Sequence, residues 1–419
     1  MRFAAILVSL LALSIPLFAQ SAAPFDPDAA TRAYLDRLTP EQKAKSDAYF
    51  EGGYWLQLWN LLLGLAVAWA LLQSGISRWM RDRASRVTRF ATVHRLLYWI
   101  QYLILTSLVF LPWSIYTGFS REHQYDLSNQ TFGGWMGDEV KGLIVGMILG
   151  GLLVAILYGV MRRYPSSWWI RGTGVMIAFL VIAIAIGPVF IAPLFNEYTR
   201  LDDPKVKDPI LRMAHANGIP VSDVWVMDAS RQTSRISANV SGLLGTQRIT
   251  LNDNLLNRTS LPEIEAVMGH EMGHYVLNHV WKMILMLGLV IVAGFAFVAW
   301  AFERARGRWG ARWGVDGVAD LAGFPLLVAL FSIFMFAATP VTNTIVRVQE
   351  SEADIFGLNA ARQPEGFAEV SLKLAEYRKL DPGRLEETLF FDHPSGRERI
   401  SMAMRWKAAQ AGSSAERNP

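Results

Sequence analysis

Residues 270–274 of the chain read HEMGH. If they lie on a helix, His270 and His274 are one turn apart on the same face, so both imidazoles can bind one tetrahedral zinc ion. Glu271 is rotated from them by about 100°, where it can contact a water at the metal and act as a general base. The pentapeptide therefore predicts hydrolytic chemistry that depends on one Zn²⁺ per chain.

A catalytic zinc also needs a third protein ligand, which must be His, Asp or Glu because the chain has no cysteine. Three acidic residues occur in RVQESEADIF, directly after the last apolar segment. Glu350 and Asp354 share one helical face, whereas Glu352 is rotated by about 200° and is expected to face solvent. We expect Glu350 to bind the metal, Asp354 to orient a histidine as part of the catalytic group, and Arg347 to balance the charge from the second shell. A solvated acidic helix is the simpler alternative.

The helix that carries HEMGH is expected to begin near Leu261, because Ser260 and Glu263 form a capping-box pattern with Pro262 in the first turn. It is expected to run without a break into the next apolar segment. His279 would then point about 180° away from the metal face. We therefore interpret it as an interfacial histidine and not as a ligand.

Short alternating segments before this helix predict a small β-sheet. They read VSDVWVMDAS, SANVSGLLG and QRITLND, and polar or glycine-containing turns separate them.

The composition indicates a membrane protein, since 52% of the 419 residues are hydrophobic and 18% are charged. Six segments approach or reach the roughly 20 apolar residues that span a bilayer. A further apolar segment, residues 3–18, has the layout of a signal peptide and could also be a first span. The six segments are residues 55–72, 96–116, 143–161, 174–194, 283–302 and 321–346.

Arginines cluster in the connections after the second, fourth and sixth of these seven apolar segments, which predicts that those loops are cytoplasmic. The basic residues flank membrane segments, so they predict no nucleic-acid surface. Alternating spans then put both polar parts of the chain on one face of a bacterial inner membrane, and the arginine pattern makes this the periplasmic face.

These features predict six parts in the chain. They are a signal-like segment or first span (1–23), a membrane domain with four further spans (24–195), a metalloprotease domain with the HEMGH helix (196–280), two spans (281–346), the remaining part of the protease domain (347–407) and a disordered tail (408–419).

Four ordered motifs resemble the membrane zinc proteases of the Ste24 type, the CAAX prenyl proteases. They are RISANVSG, HEMGHYVLNH, RVQESEAD and HPSGRERI, and the segment KSDAYFEGGYW also resembles the family. The resemblance implies a mostly α-helical polytopic bundle of six or seven spans that encloses a chamber, with a gluzincin-like zinc domain that carries a small β-sheet. It also implies that Asn239 lies on a strand that pairs with an extended substrate. His393 and Arg399 would lie near the cleft, where they polarise the scissile carbonyl or bind a substrate carboxylate.

The predicted function is an integral-membrane zinc metalloendopeptidase that acts on membrane-associated or exported polypeptides. Its partners would be a polypeptide substrate and membrane lipid, with no nucleic acid, and the sequence leaves the oligomeric state open. The alternative is a membrane transporter or channel with a regulatory metal site. Against this alternative, no apolar segment has a charge well inside it, as ion-coupled carriers commonly do.

Overall fold

The computed structural model describes residues 25–241 and 247–416, so the predicted signal peptide or first span lies outside the described residues. Most of the described chain is helical. The helices that precede the first strand are α1 (Pro27–Leu35), α2 (Pro40–Gln73), α3 (Ile76–Val87), α4 (Ala91–Ser114), α5 (Arg121–Gln124), α6 (Phe132–Arg163) and α7 (Trp168–Ile186).

The second half of the chain combines a small sheet with long helices. Its strands are β1 (Tyr198–Arg200), β2 (Val224–Met227), β3 (Ala238–Ser241) and β4 (Arg248–Asn252). Its helices are α8 (Pro204–Ala216), α9 (Asp253–Arg258), α10 (Leu261–Val276), α11 (His279–Trp313), α12 (Phe324–Ala361), α13 (Pro364–Lys373), α14 (Arg384–Phe390) and α15 (Gly396–Glu416).

Six helical segments of the described chain are long and apolar enough to cross a membrane, which confirms the six predicted segments. A helix satisfies its own backbone hydrogen bonds, so it can pass through hydrocarbon with apolar side chains facing outward. The segments are Pro40–Gln73, Ala91–Gln124, Phe132–Arg163, Trp168–Leu194, His279–Trp313 and Leu321–Ala361.

A cavity of about 860 Å³ lies between membrane helices. Residues of α2, α4 and α6 line most of it, together with Phe195 and Val328. Its lining is mainly apolar and includes the polar side chains of Thr106 and Asp138.

The sheet has the strand order β1-β2-β4-β3, and β2 pairs with β4 in parallel while the other pairs are antiparallel. The three strands expected from the sequence are present, and β1 is additional. Ile249 and Leu251 of β4 pack with Met268 and Met272 of α10 in one buried cluster, which fixes the sheet against the HEMGH helix. Because β3 pairs only with β4 within the described sheet, it is an edge strand.

The helix that carries HEMGH does not continue into the membrane, which corrects the expectation from the sequence. It begins at Leu261 as predicted, and the backbone N–H of Ser260 donates to Glu263 Oε2 over 2.7 Å. However, α10 ends at Val276, and Asn278 has a left-handed conformation (φ 57°). Asparagine tolerates this conformation better than most residues, so the chain turns there before α11 begins at His279.

The last apolar segment, in contrast, continues directly into the protease part. The helix α12 has 38 residues, so it is about 57 Å long and extends well past a hydrocarbon core of about 30 Å. At the other terminus α15 continues to Glu416, so residues 408–416 are helical where composition predicts disorder. The run KAAQA consists of good helix formers, which explains the extension.

Candidate metal centre

Close packing of α10 against α12 brings the histidines and the acidic residues together. Glycines at the contact make this approach possible. A Cβ atom added to Gly357 would lie 2.7 Å from the backbone nitrogen of His270, and one added to Gly269 would lie 2.9 Å from the carbonyl oxygen of Gly357. These distances are shorter than real Cβ contacts, so only glycine lets the two backbones approach this closely.

His270, His274 and Glu350 form one group at this contact. Their ligand atoms all lie within 4.8 Å of one another. The two Nε2 atoms are 3.1 Å apart, while Glu350 Oε2 lies 3.1 Å from Nε2 of His270 and Glu350 Oε1 lies 3.4 Å from Nε2 of His274. Two nitrogens bound to one tetrahedral zinc at ordinary bond lengths would be about 3.4 Å apart, so the spacing fits a zinc ion.

The polar atoms of this group support the same fit. Within the described structure, Oε2 of Glu350 is buried and has no hydrogen-bond partner, although an imidazole nitrogen lies beside it. A buried carboxylate oxygen without a partner is costly unless a cation neutralises it. The donor set of two imidazoles and one carboxylate is also the set that a catalytic zinc takes, with one position left open.

His270 is held by a buried ion pair. Its Nδ1 lies 2.7 Å from Oδ1 of Asp354, which is fully buried. The same carboxylate accepts two hydrogen bonds from Arg399, over 2.5 Å from Nη2 and 2.9 Å from Nε. Burial lowers the pKa of His270, but the charge of Asp354 and the hydrogen bond to it outweigh this effect and raise the pKa to about 9. A metal that binds Nε2 therefore has to displace a proton.

His274 is held by a different set of groups. Its Nδ1 lies 2.9 Å from Nδ1 of His279, and Nε2 of His279 lies 3.1 Å from Oε2 of Glu352. Lys282 donates to the same carboxylate oxygen over 2.7 Å. His279 is buried at 2% exposure and faces the metal group, which corrects the expectation that it points away. That expectation assumed an unbroken helix, and the turn at Asn278 reverses the direction of the side chain.

Glu271 lies in a cleft of about 210 Å³ next to the histidines. Burial raises the pKa of its carboxyl group, and the two histidines oppose this shift only in part. A carboxylate with a raised pKa is a better proton acceptor near neutral pH. The cleft is also lined by Ala238 of the edge strand β3, so an extended chain paired with β3 would pass Glu271. Asn239 is exposed on this strand.

His393 lies across the cleft from α10. Its Nε2 is 3.3 Å from Oε2 of Glu350, and its Nδ1 is 2.8 Å from Oδ1 of Asp392. Burial lowers the pKa of His393, and nearby Arg378 lowers it further against the opposing effect of Asp392. The sequence interpretation did not select Arg378, which lines the same cleft.

Two other predicted residues have contacts that differ from the expected ones. Arg347 donates to the backbone carbonyls of Glu387 and Phe391 and thereby fixes the segment before His393, whereas we expected it to balance charge at Glu350. Glu352, expected to face solvent, is 44% exposed and also contacts His279 and Lys282. These contacts join residues 40 to 73 positions apart, and helical periodicity carries no signal of them.

Comparison with known proteins agrees with this architecture. Residues 200–407 match the model of peptidase family M48, and residues 28–197 match the model of the CAAX prenyl protease N-terminal region with five membrane helices. The chain is 29% identical to the uncharacterized metalloprotease YhfN of Bacillus subtilis over 368 aligned residues. The alignment covers 87% of this chain and 86% of that protein. It is 28% identical to CAAX prenyl protease 1 of Saccharomyces cerevisiae, over 71% of this chain and 69% of the yeast protein.

The crystal structure of S. mikatae Ste24p has the same fold. It aligns with a TM-score of 0.71 at 22% sequence identity, over 90% of this chain and 94% of that chain. Together the two family models account for nearly all of the described chain, and the metal-binding geometry lies inside the M48 match. The chain therefore belongs to peptidase family M48, as a multi-pass membrane metalloprotease similar to the CAAX prenyl proteases.

Proposed function

We propose that the protein is a zinc-dependent endopeptidase that cleaves membrane-associated or exported polypeptides. The observation that carries this proposal is the convergence of two Nε2 atoms and one carboxylate within 4.8 Å, next to the cleft that holds Glu271. His270, His274 and Glu350 would hold the ion. When bound, zinc polarises a carbonyl group and makes water acidic enough to lose a proton near neutral pH.

The other side chains then have separate roles in peptide hydrolysis. Glu271 accepts a proton from water and later gives it to the leaving amine, which its raised pKa favours. As an imidazolium, His393 would donate Nδ1–H to Asp392 and Nε2–H to the oxygen of the reacting carbonyl. The edge strand around Asn239 would pair with the substrate backbone.

Arg399 has a different role from the one expected. It lines the cleft, but its guanidinium makes two hydrogen bonds with Asp354. We therefore infer that Arg399 holds Asp354 in place and that Asp354 orients His270. Both residues then act on the metal ligand and not on the substrate.

We also propose that the active site faces the periplasm across a bacterial inner membrane. The arginine-rich helix α3 contacts the connection between α11 and α12, where Arg81 lies 2.8 Å from Asp320. The basic connections therefore meet at the end of the bundle where α11 ends and α12 begins, and the metal group lies at the opposite ends of these helices. A site with this orientation meets exported and membrane proteins and not the cytosolic CAAX proteins.

Replacement of the general base tests the catalytic proposal. The Glu271→Gln variant should keep its zinc, because Glu271 is not a ligand, and should lose cleavage of an unfolded membrane-protein substrate. The matched variant Glu350→Gln should lose zinc as well as activity, as should treatment with a chelator. Substantial turnover by Glu271→Gln, or full zinc content in Glu350→Gln, would contradict the assigned roles.

Reporter fusions at the C-terminus test the orientation. An enzyme that is active only outside the cytoplasm should be active at this position, and a fluorophore that matures only inside should stay dark. The opposite pattern would place the active site in the cytosol and would make cytosolic substrates the correct class.

A further inference from the structure

His279 is a buried, polar side chain that takes no part in the metal-ligand group. Both of its ring nitrogens have partners: Nδ1 lies 2.9 Å from Nδ1 of His274, and Nε2 lies 3.1 Å from Oε2 of Glu352. The ring is 2% exposed, so water cannot replace either partner. A histidine that only filled space would not connect a metal-binding histidine to a carboxylate.

The order of the groups fixes the positions of the protons. If His274 binds the metal through Nε2, its remaining ring proton is on Nδ1 and has to be donated. The group that faces it is Nδ1 of His279, which must then be an acceptor. His279 in turn carries its proton on Nε2 and donates it to Glu352, whose Oε2 also accepts from Lys282 over 2.7 Å. Each donor in this series meets an acceptor.

We propose that His279 is a positioning residue that holds the ring of His274 in the orientation required for metal binding. This inference rests on the proposed function in one respect, which is that His274 binds the ion. Metal-binding histidines commonly donate their second N–H to a carboxylate or carbonyl group, which fixes the tautomer and the ring orientation. Here a second imidazole stands between the ligand and the carboxylate, and the left-handed turn at Asn278 makes the contact possible.

A pair of amide substitutions separates positioning from space filling. In His279→Asn, the amide oxygen can take the place of Nδ1 and accept the proton of His274. In His279→Gln, the amide nitrogen takes the place of Nε2 and can reach Glu352, but nothing replaces the acceptor at Nδ1. Both variants are smaller or more flexible than histidine, so a structural role alone would not favour Asn over Gln.

Zinc affinity is the first measurement, made by competition with a chelating indicator on the full-length protein in detergent. His279→Gln should bind zinc roughly 10–100-fold more weakly than the unsubstituted protein, as expected for loss of an outer-shell partner. His279→Asn should stay close to the unsubstituted protein. Cobalt substitution adds a second readout, because the visible absorption bands should change for Gln and not for Asn.

The matched control is His215→Gln. His215 lies in the same polar part of the protein, and its Nε2 is 2.7 Å from the backbone carbonyl oxygen of Val221, away from the metal group. This variant should leave the zinc affinity unchanged. Equal zinc affinity in His279→Gln and the unsubstituted protein would overturn the inference, and so would an equal loss in His279→Asn and His279→Gln.

A measurement on the unsubstituted protein applies even if the variants do not fold. In ¹⁵N spectra of histidine-labelled, zinc-loaded protein, His279 should show an unprotonated Nδ1 and a protonated Nε2. The opposite tautomer would overturn the inference while the proposed function stands. If the unsubstituted protein binds no zinc, or if Glu271→Gln keeps its activity, the proposed function fails instead.

Discussion

The two histidines of the HEMGH motif are supported by two contrasting sets of residues. His270 contacts a carboxylate directly, and that carboxylate is 0% exposed and paired with Arg399. His274 contacts a second imidazole, and the carboxylate at the end of this series, Glu352, is 44% exposed. In both cases the residues that contact the histidine can accept a hydrogen bond from its Nδ1–H. Only at His270 does a buried pair of opposite charges, Asp354 and Arg399, do this.

This difference has an energetic consequence. A buried ion pair is costly to break, because removal of one partner leaves the other charged and without water. A half-exposed pair loses little, because water and salt replace the missing partner. We therefore expect the His270 side to determine whether the site folds, and the His274 side to tune how well it binds metal.

The largest effect is expected for Asp354→Ala. This change leaves Arg399 buried without its partner and leaves Nδ1 of His270 without an acceptor. The free energy of unfolding should fall by about 3–5 kcal/mol, and the protein should lose its zinc. Thermal unfolding in detergent together with zinc content measures both. A stable, zinc-loaded variant would show that neither folding nor zinc binding at His270 depends on the buried ion pair.

Arg399→Lys should have an intermediate effect. Lysine keeps the positive charge but cannot form the two parallel hydrogen bonds that the guanidinium makes with Asp354. We expect a loss of about 1.5–3 kcal/mol in unfolding free energy, the range for hydrogen bonds to charged groups. The decrease in thermal stability should lie between those of Asp354→Ala and the Glu352 variant, and a value outside that interval would contradict the ranking.

Glu352→Gln should have a small effect on stability. The amide oxygen can still accept the proton of His279, and only the charge is lost at a half-exposed position. The unfolding free energy should change by less than about 1 kcal/mol. A decrease as large as that of Asp354→Ala would mean that both sides of the site depend on buried charge, and the comparison would fail.

Lys282→Met should have the smallest effect. The ammonium group is 40% exposed and forms an ion pair with Oε2 of Glu352 over 2.7 Å. A change of about 0.2–1 kcal/mol is expected at low salt, and it should shrink as the ionic strength rises. Unfolding curves at two salt concentrations measure this, with Lys205→Met, a variant of a lysine on α8, as a surface control.

Much of the fold could be predicted from the sequence, because its signals are local. The six apolar segments, the capped start of α10 and the three expected strands depend on composition and periodicity over 5 to 20 residues or so. The ligand group of His270, His274 and Glu350 could be selected for the same reason, since the i, i+4 spacing on a helix follows from 3.6 residues per turn.

The errors occur where a single residue or a distant contact decides the structure. One left-handed residue, Asn278, ends α10 and turns His279 toward the metal group, and helical periodicity carries no sign of it. Arg399 lines the cleft as expected, but its guanidinium pairs with Asp354, 45 residues earlier in the chain, and no local pattern indicates this contact. Composition predicts a disordered tail for residues 408–419, whereas helix propensity favours the extension of α15 to Glu416.

The sequence by itself determined which chemical groups the protein has and which helical faces carry them, because side-chain type and helical geometry are properties of short segments. Only the tertiary structure decided how the two histidines are held. That outcome depends on the close packing of α10 against α12 at Gly357 and on the direction in which the chain leaves α10. The packing results from steric contact between backbones that are far apart in the sequence, and the turn depends on a single residue, so helical periodicity encodes neither.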